Sequence, residues 1–584
     1  MLGKAPAQSS LFNTENTYKE KLKSDSFHHF LHTYRHEIFR DEDYVSLYCT
    51  TNGRMSVPPS ILATACVLQG YHGTSDKETV ECATYDIRWS VALGTELAEQ
   101  PFAKSTLQEF RAKLIINEDA MTIFKRSLSY ARERGYLKQG KMRIAMDTTH
   151  IFGKGAVKDT YNLVADGIKM LYTCLAQYNV DGLANEEFQL YNGKSFKGQA
   201  DIDWDDKVAR QKLLNTLVKD AQKLLQVTKE ALDDKDRDTS KHKAIEAASM
   251  LLSQLLLQDL QKDDADNSTI KQDVSKGRIP STTDPEIRHG RKSSSNRFNG
   301  HKAAIATDLD SGVITAVDVV AGNVHDGETA ISMVEKSHEN TGNQVQSAVG
   351  DCAYGTAEVR EQFEESETEL VAKVPKTSRR DCFSKHDFDI DLETRKVTCP
   401  EGHTTTDYRT VNVPFGKEGL KRAALKFIFP EELCSACASR KSCFQSQKRQ
   451  GKVIQLHPRE DLLQQAREVA TTENFKKHYR ERVLVEHSIA RLVQRGIRKS
   501  RFFGRKRTLW QVALAAAVVN LVLIARKESS DSNLLYHFLR SSRNLMQSFI
   551  SNRHYTDEWQ KTRKRCLKIH QFAVLNFAAF RPGF

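Results

Sequence analysis

The sequence lacks the features that would direct a chain into or across a membrane. Its first residues, MLGKAPAQSS, contain no basic stretch followed by an apolar one, so we expect a protein that is not secreted and works in the cytoplasm. One apolar run, residues 508–525, approaches the length of a membrane span, and no second run accompanies it. Because this run is rich in alanine and contains Gln511 and Asn520, we interpret it as a buried core helix.

The composition also lacks the bias of a fibrous, collagen-like or mostly disordered protein. Of the 584 residues, 39% are hydrophobic and 28% charged, which is typical of a globular chain, and this length predicts several packed units. Lys and Arg number 87 against 75 for Asp and Glu, a net charge of +12. This excess favours a polyanionic partner, either nucleic acid or an anionic membrane.

The spacing of apolar residues predicts an all-helical N-terminal part and a mixed α/β part that is interrupted twice. Reciprocal Ser-x-x-Glu/Gln caps at Ser75 and at Ser105 predict two of the N-terminal helix starts. The predicted parts are a helical bundle that builds a core or binds DNA ends (1–135), a first sheet part (136–200), a hairpin of two long helices ending in a polar loop (201–283), a second sheet part (284–375), a cysteine-bearing insertion (376–460), two late helices (461–527) and a basic helical tail (528–584).

Two carboxylates stand out because they follow apolar β patterns. Asp147 follows the run MRIAM, and Asp351 follows the run AVG. Between them, two strands joined by a turn at residues 310–312 predict a β-hairpin. We expect a mixed α/β sheet with helices on its faces, in which both aspartates lie at strand ends beside a cleft.

Further motifs occur in a fixed order along the chain. They are DPEIRHGRKSSSNRFNGHKA from residue 284, NVHD at 323–326, DCAYG at 351–355 and, on one predicted late helix, Y-x-x-R-x-x-x-E at 479–486. In this order they resemble the DDE class of insertion-sequence transposases. The two insertions look like those of the insertion-sequence family numbered eleven eighty-two, and the resemblance covers residues 50–526. It implies a ribonuclease-H-like fold. Asp326, in the second motif, we interpret as a helix cap after the strand, with a metal ligand as the alternative.

The resemblance implies a catalytic triad of Asp147, Asp351 and Glu486. Three carboxylates suit two Mg²⁺ or Mn²⁺ ions about 4 Å apart, which stabilise the attacking and leaving oxygens of a phosphodiester displacement. Water would first release a 3′ hydroxyl at the transposon end, and that hydroxyl would then attack target DNA. For Glu486 the alternative is a salt bridge to Arg482 on a solvated helix face.

A basic segment surrounds the predicted glutamate. Residues 476–507 contain twelve Lys or Arg and two acids, which indicates phosphate binding or, alternatively, a solvated basic face. Many relatives carry a lysine seven residues after the glutamate, where this chain has Val493. Phe502 and Phe503 suit stacking on unpaired bases. The predicted DNA contacts are Tyr479, Arg482, Arg495, Arg498, Lys499, Arg501 and Lys302.

Five of the eleven cysteines fall between residues 382 and 443. Cys434 and Cys437 have the spacing of a zinc-ligand pair, and Cys399 and Cys443 complete a possible tetrahedral site, with His403 as a competing ligand. Free thiols are the alternative reading. A structural Zn²⁺ would fold the insertion.

These patterns together predict a cytoplasmic, nucleoid-associated DNA transposase. It would bind the terminal inverted repeats and target DNA as a homodimer, use Mg²⁺ or Mn²⁺, and make no membrane contact. Two alternatives stay open: a DNA-binding regulator that has lost cutting, and a ribonuclease-H-like nuclease that cuts without joining.

Overall fold

A computed structural model gives the fold of most of the chain. The part it describes comprises residues 1–4, 13–49, 52–117, 119–177, 188–193, 195–232, 239–264, 266–275, 277–293, 295–375, 382–414, 420–444 and 450–551. Residues 552–584, most of the predicted basic tail, lie outside these residues.

The described residues contain nineteen α-helices, with α1 to α7 preceding the first strand. They are α1 Thr14–Tyr18, α2 Phe27–Ile38, α3 Pro59–His72, α4 Asp76–Tyr85, α5 Ile87–Leu93, α6 Lys104–Ile116, α7 Thr122–Glu133, α8 Thr160–Gln177, α9 Phe196–Gln199, α10 Lys207–Leu232, α11 Thr239–Asp259, α12 Ala330–Thr341, α13 Ala357–Glu365, α14 Glu431–Ala436, α15 Arg440–Cys443, α16 Glu460–Thr471, α17 Glu473–Arg480, α18 Val483–Gln494 and α19 Arg505–Ser551. Short 3₁₀ turns lie at Lys19–Lys21, Asp41–Leu47, Gln189–Asn192, Asp326–Thr329, Cys352–Tyr354 and Lys385–Asp387.

The same part of the chain contains fourteen strands. They are β1 Lys141–Phe152, β2 Leu260–Lys262, β3 Ser268–Ile270, β4 Arg288–Arg291, β5 Arg297–Asp308, β6 Ile314–Ala321, β7 Gln344–Val349, β8 Glu369–Val371, β9 Asp389–Asp391, β10 Lys396–Thr398, β11 Thr404–Thr405, β12 Tyr408–Pro414, β13 Lys421–Ile428 and β14 Val453–Gln455.

One of the two predicted helix caps is present. The Ser75 hydroxyl accepts from the backbone N–H of Glu78, whose carboxylate accepts from the N–H of Ser75, so α4 begins with the reciprocal cap. The cap predicted at Ser105 is wrong, because α6 already begins at Lys104 and Ala103 occupies the cap position.

The central sheet is mixed and has six strands in the order β4-β5-β1-β7-β8, with β6 also paired to β5. The strands β4, β5, β6 and β1 pair antiparallel, whereas β7 and β8 run parallel to β1. The predicted turn between β5 and β6 is present: Asp308 accepts from the N–H of Ser311, and Gly312 has a φ of +75°, which glycine adopts without strain.

Both faces of this sheet are covered by helices, as the sequence predicts. Alternation along β1 points Met142, Ile144 and Met146 toward α12 and α13, and points Ala145 and Ile151 toward α18 and α19. Burial on both faces explains the nearly continuous apolar run in this strand.

The long apolar run lies in α19, between the sheet and the N-terminal helices. The segment Arg505–Ser530 is long and apolar enough to span a membrane by length and composition, but 78% of its most apolar window is buried within the protein. The side-chain amide of Asn520 bonds the N–H and the C=O of Ile314 on β6, at 2.8 and 2.9 Å. On the other side, Val518 packs against Gly70 of α3. This geometry is that of a core helix.

The two interrupting regions carry their own small structures. In the first, α10 and α11 pack with α8 around a separate apolar cluster. The stretch predicted as a polar loop from Lys262 is not all loop, because β2 and β3 form a short antiparallel hairpin there. In the second, two three-stranded sheets, β9 to β11 and β12 to β14, enclose a small core.

Candidate active site and nucleic-acid interface

The register of the sheet brings Asp147 and Asp351 to the same level. The parallel pairing of β1 with β7 ends at Ala145 opposite Val349, and each aspartate lies two residues beyond that pair. Asp351 follows the end of β7, as predicted, and its carboxylate accepts from the N–H of Ala353 at 2.8 Å. The two aspartates therefore lie together where the parallel pair opens.

The expectation that Asp147 ends a strand is wrong. It lies in the middle of β1, because the strand continues to Phe152 through antiparallel pairing with β5, where Asp147 is opposite Ile305. Only the pairing with β7 stops before it. Asp147 is therefore held in place by β5 on one side. On the other side it is not paired with β7, so it has access to the cleft.

The surroundings of Asp147 disfavour its charged form. Burial, followed by the charges of Asp351 and Asp326, raises the pKa of Asp147 to about 6. A hydrogen bond from the N–H of Thr148 at 2.7 Å and the charge of Arg482 act in the opposite direction. Carboxylates that repel each other in this way favour a cation between them.

Asp326 is held by Lys302 and does not cap a helix, so that prediction is wrong. His325 occupies the cap position and accepts from the N–H of Gly327. The Lys302 ammonium lies 2.7 Å from the Asp326 carboxylate and 2.8 Å from the C=O of Val324. Lys302, predicted as a DNA contact, is thus already engaged beside the acidic pair.

The late helix that carries Tyr479 and Glu486 is broken. A single helix was predicted, but α17 ends at Arg480 and α18 begins at Val483, with i to i+3 hydrogen bonds between them. Glu481, in the break, pairs with Arg143 of β1 at 2.8 Å. This ion pair ties the junction of the two helices to β1.

Arg482 forms an ion pair with Glu486, and its charge also acts on Asp147. Its guanidinium is 2.8 Å from the Glu486 carboxylate, whose side chain is 45% exposed, and its charge lowers the pKa of Asp147. The salt bridge that the sequence left as an alternative is therefore present. Because Val485 and Leu492 of α18 pack with Ala145 and Ile305, this helix covers the sheet face that carries Asp147.

Tyr479 lies next to Asp351. Its ring stacks on Phe475 and lies under the Lys373 ammonium at 4.7 Å. Burial, then the nearby Cys352 and Asp351, raises its pKa, while Arg482 lowers it. Tyr479 and Arg482 are thus brought to the acidic pair, as the motif predicts.

Sequence reasoning missed Tyr354 as a member of this site. It is fully buried, and the surrounding Asp147, Asp326 and Asp351 add to the effect of burial in raising its pKa. The sequence did contain a signal for it, because Tyr354 is the tyrosine of the DCAYG motif, to which no role was assigned. Tyr354 is therefore a buried residue in the neighbourhood of Asp147, Asp326 and Asp351.

The predicted DNA contacts of the basic segment divide into two groups. Arg498 donates to the Thr149 hydroxyl at 3.0 Å and to the C=O of His150 at 2.7 Å, and Lys499 forms a parallel bridge with Phe152. These two lie against β1, and the exposed Arg501 follows two residues after Lys499. Arg495 instead lies over the ring of Tyr71 in α3, at 4.7 Å.

The two phenylalanines differ in exposure. Phe502 packs against Trp510 of the core, whereas Phe503 is 39% exposed with the Lys154 ammonium 4.8 Å from its ring. Phe503 is therefore the aromatic side chain of this segment that remains accessible for stacking.

The predicted zinc ligands line one small pocket. Cys399, Cys434, Cys437 and Cys443 surround it together with His403, and the N–H of Lys452 donates to the Cys434 sulfur. Burial, then the three other thiols, raises the pKa of Cys443, which Lys452 lowers.

Within the described residues, no three His, Cys, Asp or Glu side chains form a group that could hold a metal ion, so neither the cysteines nor Asp147, Asp351 and Glu486 form a complete metal site. The zinc prediction is therefore not supported. For Mg²⁺ or Mn²⁺, Asp147 and Asp351 are hard oxygen donors that lie close and repel each other, which fits a divalent cation. Glu486 would join them only after leaving Arg482.

Two segments of the chain match known protein families. Residues 17–113 match the family described as transposase domain (DUF772), and residues 398–525 match the one described as transposase DDE domain. The second match contains Glu486 and the basic segment, while Asp147 and Asp351 lie outside it. No curated protein and no solved structure matches the chain.

These matches indicate a DNA transposase of the DDE type, the class found in insertion sequences. They imply DNA as its partner and a nuclease and strand-transferase activity that typically uses a divalent metal. They also imply a ribonuclease-H-like fold, with which the mixed sheet agrees.

Proposed function

We propose that this protein cuts DNA at the ends of an insertion sequence and joins the freed 3′ ends to target DNA, with Asp147, Asp351 and Glu486 as catalytic carboxylates. The observation that carries the proposal is the shared level of Asp147 and Asp351 at the open end of the β1/β7 pair, under a helix that carries Glu486. The relationship to the insertion-sequence family numbered eleven eighty-two is part of this proposal.

The acidic pair would hold Mg²⁺ or Mn²⁺, which when bound supplies charge neutralisation for the attacking and leaving oxygens. Asp147 and Asp351 are fixed for this role by backbone hydrogen bonds from Thr148 and Ala353. Glu486 completes the set when Arg482 turns from it to a DNA phosphate, since guanidinium groups bind carboxylate and phosphate alike.

Arg498 is the best candidate to replace the lysine that is missing at Val493. It is anchored to β1 two and three residues after Asp147, so a phosphate bound there would lie beside the reacting bond. The N-terminal helices would bind the transposon ends, and two copies of the chain would hold the two ends together. No carboxylate of the triad is absent, which disfavours a regulator that has lost cutting.

The test is cleavage of labelled DNA carrying the element's ends, with and without Mg²⁺. We expect wild type to cut, and Asp147→Asn, Asp351→Asn and Glu486→Gln to bind ends without cutting. Asp318→Asn is the matched control, because Asp318 lies on β6 in an ion pair with Lys336. It should cut like wild type.

Three results would decide against the proposal. Binding without cutting by wild type would favour the regulator. Cutting without strand transfer to an added target plasmid would favour a simple nuclease. Full activity of Glu486→Gln would mean that the salt bridge with Arg482 is the whole role of Glu486.

A further inference from the structure

The hairpin formed by β4 and β5 carries an exposed cationic face that the proposed active site does not use. In its register Arg291 is directly opposite Arg297, so both side chains project from the same face, and both are exposed. Lys292 follows in the turn and is also exposed. We refer to Arg291, Lys292 and Arg297 as the hairpin cations.

Carboxylates do not compensate these charges. From Ile287 to Thr307 the sequence contains no Asp or Glu, and the preceding Glu286 is already paired with Arg505 at 3.0 Å. Among the residues the structure describes, the hairpin cations form no ion pair. Like charges directly opposite each other destabilise a β-ladder, and a bound polyanion would remove that repulsion.

The hairpin is rooted beside the catalytic strand. The same β5 continues from Arg297 to Ile305, which pairs with Asp147, and strand alternation puts both β5 residues on one face. The ring of Phe298 lies 5.3 Å from that of His150, to which Arg498 is bonded. The hairpin is therefore held against β1, the strand that also binds Arg498.

The length of β5 gives the distance between the hairpin cations and the level of Asp147. Eight residues separate Arg297 from Ile305, and at about 3.3 Å per residue the hairpin face lies roughly 26 Å from the level of Asp147. B-DNA advances about 3.4 Å per base pair along its axis, so a duplex lying along β5 would span this length with about 8 base pairs.

We propose that the hairpin cations bind the phosphates of the same DNA duplex that enters the active site, about 8 base pairs from the bond that is cut. This inference rests on the proposed function for the location of the cut bond. The duplex is favoured over a protein partner because the face presents positive charge and exposed backbone with no apolar patch.

The experiment measures binding in chelator, so that it does not depend on cutting. Each labelled duplex carries the element's end. It extends either 4 or 14 base pairs from the cut position, and the two sides of the cut are varied in separate duplexes. The test variant is Arg291→Gln/Arg297→Gln. The control is Lys212→Gln/Lys219→Gln, which removes two exposed charges from α10.

We expect the test variant to lose affinity for one of the long duplexes by roughly 10- to 60-fold near 0.1 M salt, and its salt slope to fall by about 2. Short duplexes and the control should bind like wild type. The melting temperature of the test variant should not be below that of wild type, because the change removes a repulsion.

Unchanged binding to every duplex would overturn the inference, and the hairpin cations would then be a solvated basic face without a DNA partner. Equal loss on short and long duplexes would overturn the predicted distance, and loss seen only with added target DNA would overturn the assignment to the cut duplex. If wild type binds ends but never cuts them with Mg²⁺, the proposed function fails while the binding comparison still tests the hairpin.

Discussion

Replacing Asp147 by asparagine should stabilise the metal-free protein while abolishing its activity. Burial and two neighbouring carboxylates raise the pKa of Asp147 from 3.8 to about 6, so the ionised form is disfavoured in the folded state. Asparagine has nearly the same shape and no charge. A group that serves catalysis at a cost in stability is expected to behave in this way.

The size of the effect follows from the pKa difference. At pH 8 a shift of about 2 units corresponds to about 3 kcal/mol of lost stability in wild type, an upper bound because the site is open to water on one side. The folded state binds the Asp147 proton more tightly than the unfolded chain, so wild type becomes less stable as pH rises from about 4 to 6. At pH 5 the advantage of asparagine should be roughly half that at pH 8.

The assay is thermal unfolding in chelator at pH 5 and pH 8, for wild type, Asp147→Asn and the control Asp318→Asn. We expect the melting temperature of Asp147→Asn to exceed that of wild type, by more at pH 8 than at pH 5. Asp318→Asn should not raise it, because Asp318 is paired with Lys336. Added Mg²⁺ should raise the melting temperature of wild type and reduce the gap, since a ligand that binds the folded state stabilises it.

Two outcomes would refute this reasoning. A destabilised Asp147→Asn would mean that the hydrogen bond from Thr148 outweighs the repulsion from Asp351 and Asp326. A pH-independent difference would mean that the carboxylates are not close enough to interact.

Two further predictions concern the core and the cysteines. Asn520→Leu should lower the free energy of unfolding by about 1–3 kcal/mol, because it leaves the buried N–H and C=O of Ile314 unpaired. Urea unfolding measures this change, with Asn520→Asp as a polar comparison. If the cysteine pocket binds zinc, wild-type protein purified without chelators should contain about one zinc ion per chain, and Cys434→Ser should lose it. Elemental analysis of the wild type that finds no zinc would rule the site out.

The parts of the fold that the sequence predicts are those set by local pattern. The alternation in β5 and β6 and the turn before Gly312 predict their hairpin, because strand period and turn chemistry act within a few residues. The two aspartates could also be found, because each follows an apolar β run and the motifs that follow them resemble those of a known class. The β runs alone would have left both as structural residues.

The misplaced features depend on distant neighbours. A sequence shows where the apolar run around Asp147 ends, but not that β7 stops pairing there while β5 continues. The break after Arg480 contains no glycine or proline, and its partner, Arg143, is more than three hundred residues away in sequence. The strand β4 was missed because its residues are basic and pair through the backbone, without an apolar alternation to mark them.

The position of α19 bears on how the chain is synthesised. Its residues Leu514 and Val518 complete the packing around Gly70, in a core shared with the N-terminal helices. The ribosome makes these two layers roughly 400 residues apart, an interval of about 20–80 s at ordinary elongation rates. During that interval the N-terminal helices have an apolar face uncovered, so we expect chaperones to bind the nascent chain. A stop codon before α19 would leave this face exposed for good, and we expect the fragment to aggregate and not to act as a smaller DNA-binding protein.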